Sequence, residues 1–113
     1  MALAQARPGA ASVSYASRVV ELSRVLGGAH YIRILCVGRG DQTWREMMSR
    51  LIDLEAPVAG AQRSAMVEAF NAGYRSEEER FPACSPEAQA VEAELKGKGR
   101  RLSAALAAPH RAE

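Results

Sequence analysis

The 113-residue sequence predicts an all-α protein, a small four-helix bundle with two cysteines placed to form one disulfide. Apolar residues recur every three or four positions in four segments, which is typical of amphipathic helices. Short loops rich in glycine or proline separate these segments, and such loops favour a bundle. Only residues 31–37 are β-branched enough for a strand, and no second segment offers a partner of similar quality.

The first two predicted helices cover about residues 15–37 and 42–55. Gly27-Gly28 interrupts the first helix, so we expect either a kink or the close approach of another helix. Gly38 to Gly40 ends it, and Asp41 caps the second helix. The expected core stripe of the second helix is Trp44, Met47, Met48, Leu51 and Leu54.

The third and fourth predicted helices cover about residues 61–80 and 86–108. Residues 75–80 form a charged end that we expect to be solvated. Ser85 and Pro86 suit the N-cap and the first position of the fourth helix. Pro109 should end that helix. The third helix has a seam of small and apolar residues, namely Met66, Ala69, Phe70 and Gly73.

The predicted domain is residues 13–108, between a disordered tail at 1–12 and a frayed C-terminus at 109–113. Residues 1–6 show the small-x-small pattern that precedes a signal-peptide cleavage site, but lack the charged and apolar regions. They are either a signal-peptide remnant or an alanine-rich tail.

Cys36 and Cys84 both lie at predicted helix–loop junctions. A disulfide between them would close a loop of about 48 residues, which stabilises a chain by roughly 4 kcal/mol. Two buried free thiols are the alternative. Metal ligation is disfavoured, because there is no CxxC and the two histidines lie elsewhere, so no metal site is predicted.

Composition argues against several functions. The net charge is only +2, and basic and acidic residues are interspersed along the chain, which argues against nucleic-acid binding. The sequence contains no run of eighteen apolar residues, so no transmembrane segment is predicted. No GxSxG or HExxH motif is present, so we assign no catalytic residue and no cofactor. One basic cluster is either a solvated helix end or a contact for an anionic membrane surface or RNA: Lys96, Lys98, Arg100 and Arg101.

A candidate ligand site comes from two helices. His30 and Arg33 are neighbours on the first helix, as are Asn71, Tyr74 and Arg75 on the third. If these faces meet near Trp44, the six side chains form a polar and aromatic cluster suited to a carboxylate, a phosphate or a sugar-like ligand. The alternative is that they only bridge helices.

Four stretches resemble a family of small alphaproteobacterial proteins without assigned function, over about Tyr15 to Leu106. They are residues 29–36, 41–45, 67–75 and 80–84. Members of that family look exported, so the resemblance implies a periplasmic rather than a cytoplasmic location and favours the disulfide. It carries over no catalytic or binding residue.

We therefore expect a non-enzymatic periplasmic module that interacts with a protein partner or binds a ligand. Two alternatives are a small anionic-ligand binder or enzyme that uses the His/Arg/Tyr cluster, and a structural homo-oligomer.

Overall fold

Four helices make up the fold in a computed structural model that describes residues 2–111, with side chains described for residues 15–108. They are α1 (Ala2–Cys36), α2 (Thr43–Glu55), α3 (Ala61–Arg80) and α4 (Pro86–Arg111). No described residue lies in a strand, and the ambiguous segment at residues 31–36 is helical. The predicted all-α class is confirmed.

Helix α1 lies at the centre, and each of the other three helices packs against it. From Val25 to Ile32 every residue of α1 is buried, whereas the sequence pattern predicted one buried face. Three surrounding helices cover sides of α1 that a single neighbour would leave open. The largest group of buried apolar residues comes from all four helices and includes Val19, Leu22, Met48, Met66 and Leu106.

Glycines allow the backbones of α1 and α3 to touch. A Cβ atom on Gly27 would overlap the carbonyl of Phe70, and one on Gly73 would overlap the carbonyl of Arg24. Of the two roles predicted for Gly27-Gly28, the structure therefore shows close approach, and α1 continues through the pair as one helix. Backbone contact at this crossing brings α3 alongside the middle of α1.

The helix boundaries follow local chemistry. Gly38, with a φ of +142°, turns the chain after α1, in a conformation that side-chain-bearing residues rarely adopt. The Asp41 carboxylate accepts a hydrogen bond from the Thr43 amide (3.1 Å) at the start of α2. Ser85 Oγ accepts one from the Ala88 amide (3.1 Å), so the predicted N-cap of α4 is confirmed.

Cys36 and Cys84 form the predicted disulfide, with Cα atoms 5.1 Å apart. It ties the C-terminal end of α1 to the segment before α4. Beside it, Tyr31 donates a hydrogen bond to the Phe81 carbonyl. The disulfide and the Tyr31 hydrogen bond therefore connect the same two segments.

Both ends of the helical domain differ from the sequence prediction. Helix α1 begins at Ala2 rather than near Tyr15, although Pro8 and Gly9 lie within the added segment. Helix α4 runs to Arg111, two residues past the proline that was expected to end it. Met1, the last two residues, and the side chains of residues 1–14 and 109–113 lie outside the described part. The signal remnant and the division into domain and tails stay predictions.

Three side chains depart from their predicted environment. Met47 and Leu54, expected in the core, are 44% and 79% exposed. They face α4, and α2 and α4 form no close backbone pairing within residues 2–111. Glu77, expected in a solvated tail, is buried because it follows Gly73 by one helical turn and packs near Gly28.

Candidate functional site

A cavity of about 580 Å³, partly open to solvent, lies between α2 and α3 with α1 as its floor. We call it the α2–α3 crevice. Its apolar lining includes Ile34, Met48, Ile52 and Phe70. Its polar lining residues are His30, Arg39, Gln42, Arg45, Ser49, Asn71 and Tyr74.

His30 is the buried polar residue of the crevice, with 7% of its surface exposed. Its ring lies 5.8 Å from the ring of Phe70 and 5.9 Å from that of Tyr74, centroid to centroid. Its buried Nδ1 atom has no hydrogen-bond partner among the described residues. Because a buried polar atom without a partner costs free energy, this nitrogen is suited to a ligand.

The charge state of His30 follows from its surroundings. Burial lowers the pKa of His30 below its ordinary value of 6.5, and the positive charge of Arg45 lowers the pKa further, against a smaller opposing effect of Asp41. His30 is therefore neutral at pH 7, with one ring nitrogen that donates and one that accepts.

Arg39 and Arg45 make the crevice positive. Arg39 lies in the loop after α1 and Arg45 on the first turn of α2, and both are exposed. No aspartate or glutamate lines the crevice, and neither arginine has an ion pair among the side chains described. The positive charge thus acts on whatever enters the cavity.

The structure brings together three of the six residues of the predicted cluster: His30, Asn71 and Tyr74. Arg33, Trp44 and Arg75 point in other directions, because successive side chains of a helix are rotated by about 100° around its axis. Arg75, one position after Tyr74, lines a different recess between α1 and α3.

Arg33 and Trp44 belong to a network between α1, α2 and α4. Arg33 Nε donates to the Asp41 carboxylate (2.9 Å) and Arg33 Nη1 lies 3.6 Å from Glu92. Trp44 Nε1 donates to Glu92 Oε2 (3.0 Å). Hydrogen bonds from Thr43 and then Arg33 lower the pKa of Asp41, which stays ionised and holds the loop after α1. These residues connect helices rather than face the crevice.

Sequence reasoning missed Arg39 and Arg45. Arg39 is a loop residue without a periodic signal. Arg45 does carry one, because Arg45, Ser49 and Ile52 recur at steps of four and three and share one face of α2. In the structure, this face of α2 turns towards α3.

The described residues hold neither a metal-binding cluster nor a membrane-spanning helix. No three histidine, cysteine, aspartate or glutamate side chains there lie close enough to hold a metal ion. None of the described helices combines the length and apolar character needed to cross a bilayer.

Comparison with known proteins assigns the chain to a family of unknown function. No curated protein and no solved structure matches the sequence. The sequence motifs above resemble a family without assigned function, and the origin and export attributed to it stay predictions. A sequence model described as a protein of unknown function, DUF2385, matches residues 14–110, and the chain therefore belongs to the DUF2385 family.

Proposed function

We propose that this domain is a non-enzymatic binding module that holds a small organic anion, a carboxylate or a phosphate ester with an apolar body, in the α2–α3 crevice. One observation carries the proposal. Two arginines without ion pairs and His30, whose buried Nδ1 atom has no hydrogen-bond partner, line the same cavity, among the residues whose side chains are described.

The dimensions of the crevice support a ligand of moderate size. Its volume of about 580 Å³ falls within the range typical of small-molecule sites, roughly 300–1,000 Å³. Apolar side chains from all three helices, such as Ile34, Ile52 and Val67, offer surface to a hydrocarbon or aromatic body. Purely inorganic anions would leave that surface uncovered.

The polar groups support binding rather than catalysis. A guanidinium group can donate two parallel hydrogen bonds to a carboxylate or phosphate, and Asn71 and Tyr74 add neutral donors. No carboxylate lines the crevice beside His30, and Asp41 is engaged by Arg33 and Thr43. An orienting acid for a catalytic histidine is therefore lacking in the lining.

Titration calorimetry with benzoate and with benzamide tests the proposal, because the two probes share a shape and differ in charge. We expect saturable benzoate binding and at least tenfold weaker benzamide binding. Arg45→Gln should weaken benzoate binding by about tenfold, corresponding to about 1.4 kcal/mol. The matched control is Arg75→Gln, which removes the same charge from another exposed helix position. Equal effects of both variants, or equal binding of both probes, would overturn the proposal.

The pH dependence offers a second test. Protonated His30 would attract the anion, and binding of the anion would in turn favour protonation. Benzoate affinity should therefore rise as the pH falls from 8 towards 5.5, and His30→Asn should abolish most of this rise. A wild-type affinity independent of pH would remove His30 from the site.

We also propose that the protein works in the periplasm. The disulfide supports this location, because Cys84 is exposed and an exposed disulfide persists in an oxidising compartment. Alkylation of thiols in intact cells, before lysis, would test it. We expect both cysteines to be protected in the full-length protein; two reactive thiols would point to the cytoplasm.

A further inference from the structure

A second cavity, of about 420 Å³, lies on the other side of α2, between α2 and α4. We call it the α2–α4 groove. Leu22 and Leu26 of α1 form its floor, and its other apolar lining residues are Trp44, Met47, Leu51 and Leu54 of α2. Since α2 and α4 do not pair closely, a recess remains between them. Its floor leucines are only 5% exposed, whereas Met47 and Leu54 on its wall are 44% and 79% exposed. None of the lining residues is shared with the α2–α3 crevice.

The charged residues that line the groove are all cations. Arg50, Lys96 and Arg100 line it, no aspartate or glutamate does, and none of the three cations has an ion pair among the described side chains. An apolar floor with an unpaired cationic rim complements a molecule that has an apolar chain and an anionic head.

Helical periodicity divides the basic cluster of α4 into two pairs. Lys96 and Arg100 are four residues apart and both line the groove. Lys98 instead pairs with Glu21 at 3.0 Å, and Arg101 does not line the groove. The four cations that are adjacent in sequence therefore do not form a single patch, and two of them serve the groove.

One hydrogen bond joins the two walls of the groove, and a glycine lies next to its floor. The hydrogen bond from Trp44 Nε1 to Glu92 Oε2 (3.0 Å) joins α2 to α4. A Cβ atom on Gly99 would lie 3.8 Å from Leu22 and 3.7 Å from Val25, so a larger side chain at this position would cover the floor.

We propose that the α2–α4 groove binds a free single-chain amphiphile with a carboxylate or phosphate head. Its hydrocarbon chain lies along Leu22 and Leu26, and its head contacts the cationic rim. The volume favours a chain over a peptide helix. Two helical turns of about 10 Å diameter and 5.4 Å pitch occupy roughly 850 Å³, about twice the groove. The site is recessed between two helices, which favours a monomeric amphiphile over a flat bilayer.

Dodecyl phosphate below its micelle concentration is the probe, and Trp44 is the reporter. Trp44 is the only tryptophan of the chain and lines the groove, so its fluorescence responds to occupancy. We expect saturable binding of dodecyl phosphate. Dodecyl maltoside, with the same chain and a neutral head, and inorganic phosphate, with no chain, should each bind at least tenfold more weakly.

Two pairs of variants assign the binding to the groove. The double variant Lys96→Gln, Arg100→Gln should weaken dodecyl phosphate binding at least tenfold. Lys98→Gln, Arg101→Gln, which removes the same charge from the same helix, should change it less than twofold. Gly99→Leu should weaken binding by covering the floor, whereas Gly97→Leu, two residues away, should not.

Four outcomes would overturn the proposal. The first is an equal response of the two double variants, and the second is a neutral detergent that binds as tightly as the phosphate. The third is binding to phosphatidylglycerol vesicles alone, which would identify a membrane contact. The fourth is a ligand-free dimer in sedimentation that Gly99→Leu dissociates, which would identify a second copy of the chain as the occupant. Benzoate binding in the crevice is measured separately, and its failure would leave this result intact.

Discussion

The crossing of α1 and α3 predicts opposite effects for one substitution at two helical glycines. Gly27→Ala places a methyl group on the Phe70 carbonyl oxygen, a backbone atom that cannot move away by rotating a side chain. Gly97→Ala, in the interior of α4, places the same methyl group 3.6 Å from the flexible end of Arg101 and near no other side chain. Both positions are helical, so the gain in helix propensity is shared.

The magnitudes separate the two variants. Replacing glycine by alanine inside a helix stabilises it by about 1 kcal/mol. Overpacking a tightly packed site costs about 1–3 kcal/mol, and a backbone clash belongs at the upper end. Gly27→Ala should therefore lower the free energy of unfolding by about 2 kcal/mol, and Gly97→Ala should raise it by about 1 kcal/mol. At about 4 °C per kcal/mol for a domain of this size, the melting temperatures should differ by about 12 °C.

Urea unfolding followed by far-ultraviolet circular dichroism measures both changes. Gly73→Ala, which overlaps the Arg24 carbonyl from the other helix, should reproduce the loss. An unchanged denaturant slope would show that the native and unfolded states stay comparable. If Gly27→Ala stabilises the protein as much as Gly97→Ala does, the two helices are not in backbone contact and the packing described for α1 is wrong.

Three further predictions follow from single contacts. Replacing both Cys36 and Cys84 by serine opens a 48-residue loop and should lower the free energy of unfolding by about 4 kcal/mol in urea; a loss below about 1 kcal/mol would contradict a bond that constrains the unfolded chain. Burial lowers the pKa of His30 in the folded state, so the unfolded state binds more protons below pH 6.5. The free energy of unfolding should therefore decrease as the pH is lowered through this range, by up to about 1.4 kcal/mol per pH unit. His30→Asn should flatten this part of the stability profile, and an equally steep profile would show that other groups cause it. Ser85→Ala removes the N-cap of α4 and should cost about 1 kcal/mol, against a change within about 0.5 kcal/mol for the exposed Ser76→Ala.

Much of the candidate site depends on an arrangement that helix patterns do not contain. His30, Asn71 and Tyr74 were found because their spacing places them on helix faces, and those faces do meet. Arg33 was grouped with His30 by the same spacing. A three-residue step leaves a difference of about 60° around the helix, and that difference turns Arg33 towards Asp41 and Glu92.

Features that depend only on neighbours along the chain were predictable from the amino-acid pattern. Four periodic segments, the cap at Ser85 and the turn at Gly38 all follow from local chemistry. Each involves only short-range geometry. Their outcome therefore did not depend on how the helices are arranged in space.

The tertiary structure decided which helix lies at the centre and which surfaces face one another. Placing α1 among three helices buries His30 and Glu77, turns Arg45 into the crevice and leaves Leu54 exposed beside α4. A periodic pattern gives the angle between side chains on one helix, but not the direction of that helix relative to its neighbours. That direction is set by contacts between residues distant in sequence, such as those of Gly27 with Phe70 and of Gly73 with Arg24.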